Sequence, residues 1–330
     1  NLLASVAPRV KAASGSGAAS SGLALRQTNR KLASARGCLQ TARVKSPAAY
    51  ELVRLRNGAH SLRCVALGET MHPVVGPVAE AEALYVQQLR LRERMARARA
   101  EFVIWDVGLG AAANPLTVLR ATRGCACPVR IVSFDHTLEP LRFALGQAEA
   151  LGYVRGFEEP LAELLAWQRA EFLDGGRRIN WRVHLGDFPG LLRQPAAAHW
   201  PKPDAILFDP YSPAKNPAMW TAPLFADVFR LLDPGRPCSL ATFSRSTMSR
   251  VALLRAGFFV GRGQGVGAKE ETTIAANAPD LVAAPLEGRW LARARTSTSA
   301  EPLWEPVYRQ APLSAATWEK LRGHPQFDEA

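Results

Sequence analysis

Three consecutive residues, Asp209, Pro210 and Tyr211, combine an acid, a rigid imino acid and an aromatic ring at a point where a sheet can place chemistry. They follow residues 205–208, a short apolar run that predicts a buried strand. Open α/β sheets bind ligands at the carboxyl ends of their strands. We therefore predict a substrate site here, with Asp209 as the candidate catalytic residue; a simple turn with a capping acid is the alternative.

A glycine loop follows another apolar run, residues 102–107. Gly108 and Gly110 allow the backbone to turn sharply and approach a ligand closely, and Asn114 opens the next predicted helix. Asp106 stands just before the loop. This pattern serves dinucleotides and S-adenosylmethionine alike, so the loop predicts a nucleoside-containing ligand without choosing between them.

Two further acids favour S-adenosylmethionine. Asp135 lies 25 residues after Gly110, at the end of the next predicted strand, where it can accept both ribose hydroxyls. Gly186 and Asp187 end a third strand, and a second acid there can accept the adenine amino group. Dinucleotide sites rarely need that second acid. The plainer interpretation is that Asp135 and Asp187 are only helix caps or loop acids. The predicted donor site comprises Asp106, Gly108, Gly110, Asn114, Asp135, Gly186 and Asp187.

The combination predicts methyl transfer to an amine. An amine attacks a methyl sulfonium through its lone pair, and a free alkyl amine is mostly ammonium at neutral pH, so it must lose a proton. Asp209 can accept that proton, carbonyls around Pro210 can hold N–H groups, and Tyr211 can stack on a planar base. In-line placement is the main requirement, so we expect Asp209 to act by orientation as much as by basicity.

Strands that alternate with helices must position these residues, which predicts an α/β fold with a doubly wound, mostly parallel sheet. A hairpin around Asn57-Gly58 should precede the sheet, and residues 272–276 should form an antiparallel last strand. Helical patterns at 138–151 and 160–172 exceed one crossover, so we expect a small helical insertion at about 138–178. The predicted parts are 1–49, a basic tail; 50–100, hairpin and helix; 101–277, the catalytic domain; and 278–330, a C-terminal extension.

Composition limits the possible partners. The 330 residues carry a net charge of +12, but residues 1–50 hold eight Lys or Arg and no acid, which leaves only +4 for the rest. That Arg- and Ser-rich segment is predicted to be disordered, either a solvated tail or an organellar transit peptide. No stretch of 18 apolar residues predicts a membrane span. Five irregularly spaced cysteines predict free thiols, and no metal site is expected.

The motifs together resemble the methyltransferase domain of the MnmC family, over residues 50–276. The most specific segment is residues 213–220, PAKNPAMW. The remaining pieces are GETMH at 68–72 with Gly76 and Glu80-Ala81, DVGLG at 106–110 with Asn114, Asp135, Gly186-Asp187, Asp209 with Ser212, ATF at 241–243, AGF at 256–258 and GVGAKE at 265–270.

This resemblance implies a Rossmann-like, class I methyltransferase fold and a specific reaction. The enzyme would use S-adenosylmethionine to methylate the 5-aminomethyl group of wobble (2-thio)uridine in tRNA, giving 5-methylaminomethyl-(2-thio)uridine. No second GxGxxG unit follows, so we expect no FAD and a separate upstream enzyme that supplies the aminomethyl group. The expected location is the cytoplasm, or an organelle matrix or stroma if residues 1–49 are a transit peptide.

The resemblance also implies residues near the substrate, with two departures from the family pattern. Ala112 stands where a third glycine is usual, and Pro210-Tyr211 replaces a common Gly-Phe and resembles the DPPY motif of amino-methyltransferases acting on bases. Other acceptor amines, and a binding protein that has lost catalysis, therefore stay open as alternatives. The predicted substrate-binding residues are Glu69, His72, Pro210, Tyr211, Lys215 and Lys269.

Overall fold

The computed structural model describes residues 49–267 and 269–328, so the predicted tail at 1–49 lies almost entirely outside the described residues. An N-terminal antiparallel sheet has the strands β1 (Tyr50–Arg54), β2 (His60–Cys64) and β3 (Glu69–Thr70). β1 and β2 pair around the predicted Asn57-Gly58 turn. The N-terminal hairpin is thereby confirmed, and it continues into a third short strand.

A helical segment follows the small sheet in three pieces. They are α1 (Pro77–Ala81), a π-helical stretch (Glu82–Gln87) and α2 (Leu91–Arg97). Arg90 adopts a left-handed conformation with φ 53° and separates the last two. The apolar residues Ala81, Leu84, Tyr85 and Leu89 of this segment are buried, whereas Val78 is exposed.

An eight-stranded sheet forms the centre of the molecule, in the order β10-β11-β9-β8-β4-β5-β7-β6. Five strands are parallel, while β6, β10 and β11 join through antiparallel pairings. The predicted mostly parallel sheet with an antiparallel last strand is confirmed. The bounds are β4 Phe102–Val107, β5 Val129–Asp135, β6 Arg169–Asp174, β7 Arg177–Leu185, β8 Ala205–Phe208, β9 Ser239–Thr242, β10 Phe259–Gly263 and β11 Thr272–Ala276.

Helices cover both faces of this sheet and bury an apolar cluster on each side. β4 has β5 on one side and β8 on the other, so the chain changes direction between β7 and β8 and leaves a crevice at the carboxyl ends of β4 and β8. The helices are α3 Ala113–Ala121, α4 Glu139–Leu145, α5 Ala148–Leu151, α6 Glu158–Trp167, α7 Phe188–Arg193, α8 Ala222–Leu231, α9 Thr247–Ala256, α10 Gly288–Thr296 and α11 Ala315–Arg322.

The region predicted as helical over 160–172 differs from that expectation. α6 ends at Trp167, and β6 then forms an antiparallel hairpin with β7. The turn is Gly175-Gly176, in which both residues have positive φ, as two-residue hairpins prefer. The helical prediction was wrong after residue 167 because this turn signal outweighs the local helical pattern.

Residues 278–328 pack onto the main sheet rather than forming a loose extension. The apolar cluster on one face of the main sheet includes Trp290 of α10, Leu303, Leu321 of α11 and Phe327. Across residues 49–267 and 269–328, no helix is long and apolar enough to cross a membrane. The four described cysteines are free thiols, and Cys38 lies outside the described residues.

Candidate functional site

A cleft of about 600 Å³ opens at the carboxyl ends of the parallel strands. Residues that follow β4, β5, β7, β8 and β9 line it, together with the loop after β3. This is the crevice that the change of strand direction creates. The predicted residues that line it are Glu69, His72, Gly108, Gly110, Asn114, Asp135, Gly186, Asp209, Pro210, Tyr211 and Lys269. Their individual roles stay predictions.

The glycine loop brings the turns after two strands into backbone contact. Gly108 has φ +93°, and a Cβ built there would lie 2.7 Å from the carbonyl oxygen of Asp209. Both the conformation and the space therefore require glycine. Gly110 has φ +50°, and its N–H donates to Asp135 Oδ2 at 2.9 Å. The loop thereby fixes the positions of both acids relative to each other.

Asp135 is held by backbone N–H groups at the end of β5. Besides the bond from Gly110, Oδ1 accepts from the N–H of His136 at 2.7 Å and of Thr137 at 3.3 Å. Burial raises the pKa of Asp135, and these hydrogen bonds offset only part of that shift. Because a carboxylate has about four acceptor sites and three are used here, Oδ2 keeps capacity for a ligand hydroxyl.

Asp106 does not line the cleft, although we predicted a donor contact for it. Its side chain is fully buried in the sheet, where Oδ2 accepts from Ser133 Oγ at 2.7 Å. Ser133 Oγ in turn accepts from Trp181 Nε1 at 2.9 Å. Burial raises the pKa of Asp106 to about 7 against the opposing hydrogen bond from Ser133. The correction follows from strand geometry, since a strand residue faces one side of the sheet rather than its end.

Two more predicted residues lie outside the cleft lining. Asp187 is exposed, and its carboxylate caps α7 by accepting from Gly190 N–H at 3.0 Å. This is the plainer helix-cap interpretation of that acid. Lys215 is exposed on the turn after β8. The structure therefore separates both residues from the cleft, while Gly186, next to Asp187, lines it.

Asp209 is the central acid of the substrate side. Only 14% of its side chain is exposed, and Oδ2 accepts from Asn114 Nδ2 at 2.8 Å. Burial raises the pKa of Asp209, and His72, Asn114 and Lys269 oppose the shift without cancelling it. The buried Oδ1 of Asn114 has no hydrogen-bond partner within residues 49–267 and 269–328. That amide oxygen is an acceptor available to a ligand.

His72 lies between two carboxylates. Its Nε2 is 3.8 Å from Asp209 Oδ2, and its Nδ1 is 3.7 Å from Glu80 Oε2. Burial by itself lowers the pKa of His72, but the contact with Glu80 and the charge of Asp209 reverse this, so the pKa is raised. Burial raises the pKa of Glu80, and the contact with His72 outweighs that effect and lowers it.

A cation and aromatic rings complete the wall. Lys269 Nζ lies 4.3 Å above the centre of the Phe243 ring and donates to the Phe243 carbonyl at 3.2 Å. Burial lowers the pKa of Lys269, opposed by Glu80 and Asp209. Tyr211 lines the cleft beside Tyr50 of β1, and burial raises the pKa of the Tyr211 phenol.

The PAKNPAMW segment supports this wall from behind. Trp220 is fully buried against Phe208, Phe225 and Phe243, and its Nε1 donates to the Tyr211 carbonyl at 2.9 Å. This side chain is therefore part of the core. The hydrogen bond from Trp220 also fixes the backbone of Tyr211, the residue that follows Asp209-Pro210.

Several lining residues carried no predicted role. Glu80 formed part of the family resemblance only through its position in sequence, and Tyr50 stood in a strand with no visible link to a site. The strand and loop patterns gave no signal for them, because they reach the cleft through tertiary packing. The lining residues without a predicted role include Tyr50, Met71, Glu80, Phe134, Met219 and Phe243.

Comparisons with known proteins agree with this geometry. Residues 157–278 match a family described as S-adenosyl-L-methionine-dependent methyltransferase. That range contains Asp209 and the PAKNPAMW segment, while the glycine loop and Asp135 precede it.

Two relatives are named tRNA 5-methylaminomethyl-2-thiouridine biosynthesis bifunctional protein MnmC. The one from Aeromonas hydrophila is 32% identical over 59% of this chain and 30% of its own length. The one from Methylibium petroleiphilum is 30% identical over 71% of this chain and 35% of its own length. The chain thus spans about a third of the curated relatives that it matches.

A solved structure shares the fold. The crystal structure of MNMC2 from Aquifex aeolicus superimposes with a TM-score of 0.61 and covers 84% of this chain and 86% of its own, at 22% identity. At 22% identity, this likeness concerns the fold.

The cleft also fits S-adenosylmethionine, which supplies an electrophilic methyl group when bound. Asp135 offers acceptors for sugar hydroxyls, and Asn114 Oδ1 offers a buried acceptor for an N–H group. Gly108 and Gly110 line the cleft at the loop, so their backbone borders the space for a ligand. With the family match, the fold and the cleft in agreement, this chain is an S-adenosyl-L-methionine-dependent methyltransferase that resembles the methyltransferase portion of MnmC.

Proposed function

We propose that the enzyme methylates the 5-aminomethyl nitrogen of a wobble (2-thio)uridine in tRNA. The observation that carries the proposal is the placement of Asp209, a buried carboxylate on the cleft wall whose backbone touches the donor loop at Gly108. A carboxylate in that position suits a cationic acceptor that must lose a proton before it reacts. The relatives named for 5-methylaminomethyl-2-thiouridine biosynthesis support tRNA as the substrate.

In this proposal, the chain acts on the acceptor by binding and orientation. Asp209 accepts hydrogen bonds from the aminomethyl nitrogen, and Asn114 holds the carboxylate in a fixed rotamer through its 2.8 Å bond. Backbone carbonyls at Pro210 define the direction of the remaining N–H group, and Tyr211 offers a ring to the uracil. Alignment of the nitrogen with the methyl group is the larger part of catalysis for such a transfer.

The donor is held on the opposite side of the cleft. In this proposal, Asp135 binds the sugar hydroxyls of the donor. Gly108 and Gly110 contact the donor through their backbone, and Gly186 borders its base. Asp187 would assist only at the rim, because its carboxylate already caps α7. Glu69 and Lys269 border the acceptor side, and Lys215 on the neighbouring exposed turn is a phosphate contact in this proposal.

The partners follow from the chemistry of the substrate. A separate enzyme must install the aminomethyl group before this one acts, in the cytoplasm or in an organelle matrix or stroma. The basic residues at 1–50 suit a tRNA partner, since their charges are of the sign that attracts a polyanion.

A direct assay tests this function. Purified full chain is incubated with S-adenosylmethionine and tRNA that carries 5-aminomethyl-uridine, and the nucleosides are analysed by mass spectrometry. We expect a mass gain of one methyl group on that nucleoside only. Unmodified tRNA, DNA and free alkyl amines run in parallel. If one of those is methylated instead, the acceptor is a base amine or a small amine rather than the aminomethyl-uridine of tRNA. The Pro210-Tyr211 pair is the reason for including them.

A further inference from the structure

The acceptor side of the cleft contains a chain of three titratable groups, Glu80, His72 and Asp209. Orientation by Asp209 needs only the last of them. The side chains of all three are largely buried, with 15%, 11% and 14% exposed respectively. Burying two carboxylates and an imidazole together costs free energy unless they pair. His72 contacts both acids and can pair with them when it is protonated.

His72 is held in an uncommon conformation that aims both ring nitrogens at acids. Its backbone has φ 50°, a left-handed value that few residues other than glycine adopt. The preceding residue is anchored, because Ser61 Oγ donates to the Met71 carbonyl. Such strain persists where the surrounding structure fixes it, and it concentrates at functional sites.

We propose that His72, oriented by Glu80, receives through Asp209 the proton that the acceptor ammonium must lose. This inference rests on the proposed function, in which the acceptor is an alkyl ammonium. Glu80 is a positioning residue, because its contact with Nδ1 leaves Nε2 directed at Asp209. The arrangement gives the released proton a place to go without protonating Asp209 permanently.

During the transfer, the positive charge of the sulfonium moves to the nitrogen that receives the methyl group. An N–H bond of the ammonium breaks, and its proton passes to the Asp209 carboxylate and on to His72 Nε2. The freed lone pair forms the nitrogen–methyl bond as the methyl–sulfur bond breaks, and that electron pair stays on sulfur. Imidazolium between two carboxylates is the favoured product state, and the proton then leaves His72 to solvent.

Charges that face His72 set the direction of its pH dependence. Glu80 and Asp209 favour its protonated form, and Lys269 interacts with both of those acids. His72 must be neutral to accept a proton, so activity falls as pH drops through its pKa. Since that pKa is raised, the fall begins at a higher pH than it would for an unperturbed histidine. Removing Glu80 takes away a contact that raises this pKa, so the fall should move to lower pH.

The pH profile of kcat with saturating S-adenosylmethionine and aminomethyl-uridine tRNA tests the relay. We expect His72→Gln to lower kcat at neutral pH by about 10²–10³-fold, the range of general acid–base effects, and to regain rate at high pH as the amine deprotonates unaided. Glu80→Gln should shift the acidic fall downwards and lower kcat by roughly tenfold. His199→Gln, an exposed histidine outside the cleft lining, is the matched control.

Chemical rescue separates a proton acceptor from a structural side chain. His72→Gly suits the positive φ and leaves space for a small base. Added imidazole should raise its kcat in proportion to the free-base concentration, and it should leave wild type unchanged. Calorimetry with S-adenosylmethionine should give a Kd within a few-fold of wild type for each variant, which excludes misfolding as the cause.

Two results are distinguishable. If wild type methylates the aminomethyl-uridine but His72→Gln keeps its kcat and pH profile, or imidazole gives no rescue in a variant that binds the donor normally, the relay is overturned. If wild type does not methylate that nucleoside at all, the proposed function itself fails.

Discussion

The two walls of the cleft are built in different ways. The donor wall consists of main chain and one acid: Gly108, Gly110 and the N–H groups that hold Asp135. These residues lie within 30 positions of one another in sequence. The acceptor wall consists of side chains from distant elements. His72 and Asn114 both contact Asp209, and each of them is at least 95 positions away from it in sequence. In the proposed function, a rigid local motif thus serves the donor, and a titratable tertiary cluster serves the acceptor.

This difference has a functional meaning. A nucleoside-containing donor has fixed hydroxyl groups, which preset backbone and carboxylate groups can match without changing charge. The acceptor amine must change its protonation state, so the wall that faces it needs groups whose pKa values are shifted by burial and by each other. The shifts at His72, Glu80 and Asp209 lie on that wall.

The largest expected effect separates the walls at Asp209. Asp209→Ala should lower kcat by at least about 10³-fold, because both orientation and proton acceptance are lost. The Kd for S-adenosylmethionine should stay within a few-fold, since the donor wall is unchanged. Single-turnover methylation and calorimetry measure the two quantities. A variant that remains active would remove Asp209 from the catalytic role.

Gly108→Ala should break a point at which the glycine loop and the Asp209 turn touch. The new Cβ would lie 2.7 Å from the Asp209 carbonyl oxygen and would require φ near +93°, so both turns must move apart. We expect loss of donor affinity by about 100-fold or more together with loss of turnover, as one misplaced contact suffices for such a change. The control is Gly124→Ala, where no atom lies within 4 Å of the added Cβ. Equal affinity in Gly108→Ala would show that the loop is looser than the geometry requires.

Asp135→Ala should damage the donor wall alone. A charged hydrogen-bond acceptor contributes about 1.5–3 kcal/mol, which corresponds to roughly 10–100-fold in the Kd for S-adenosylmethionine. At saturating donor, kcat should fall much less than in Asp209→Ala. Calorimetry and saturation kinetics provide the comparison. A fall in kcat with unchanged Kd would contradict the assignment of Asp135 to the donor.

The smallest effect is expected at Ala112, where the family pattern has glycine. Ala112 has φ 60°, a strain of about 1–2 kcal/mol for a residue with a Cβ. Ala112→Gly relieves that strain but removes a buried methyl worth about 0.8 kcal/mol and adds unfolded-state entropy of about 0.5–1 kcal/mol. The net change in the free energy of unfolding should be under about 1 kcal/mol, with donor Kd unchanged. Denaturant unfolding measures it, and a gain or loss above 2 kcal/mol would contradict this balance.

Much of the fold follows from local patterns. The run 102–107 and the run 205–208 became β4 and β8 with the predicted bounds, because fully buried parallel strands read as continuous apolar stretches. The antiparallel last strand β11 also matched its predicted range, 272–276. β6 was missed, since its hairpin depends on the Gly175-Gly176 turn and on pairing with β7 rather than on helical periodicity.

What the sequence alone determined is the ranges of β4, β8 and β11, the loop that needs glycine and the acid at the end of β8. These are local, because turn conformation and strand burial depend on neighbouring residues. Only the tertiary structure decided that Asp106 points into the sheet, that Asp187 caps a helix and that Glu80 reaches His72. The direction of a side chain and its partners across the cleft depend on which elements pack together, and no short-range pattern encodes that packing.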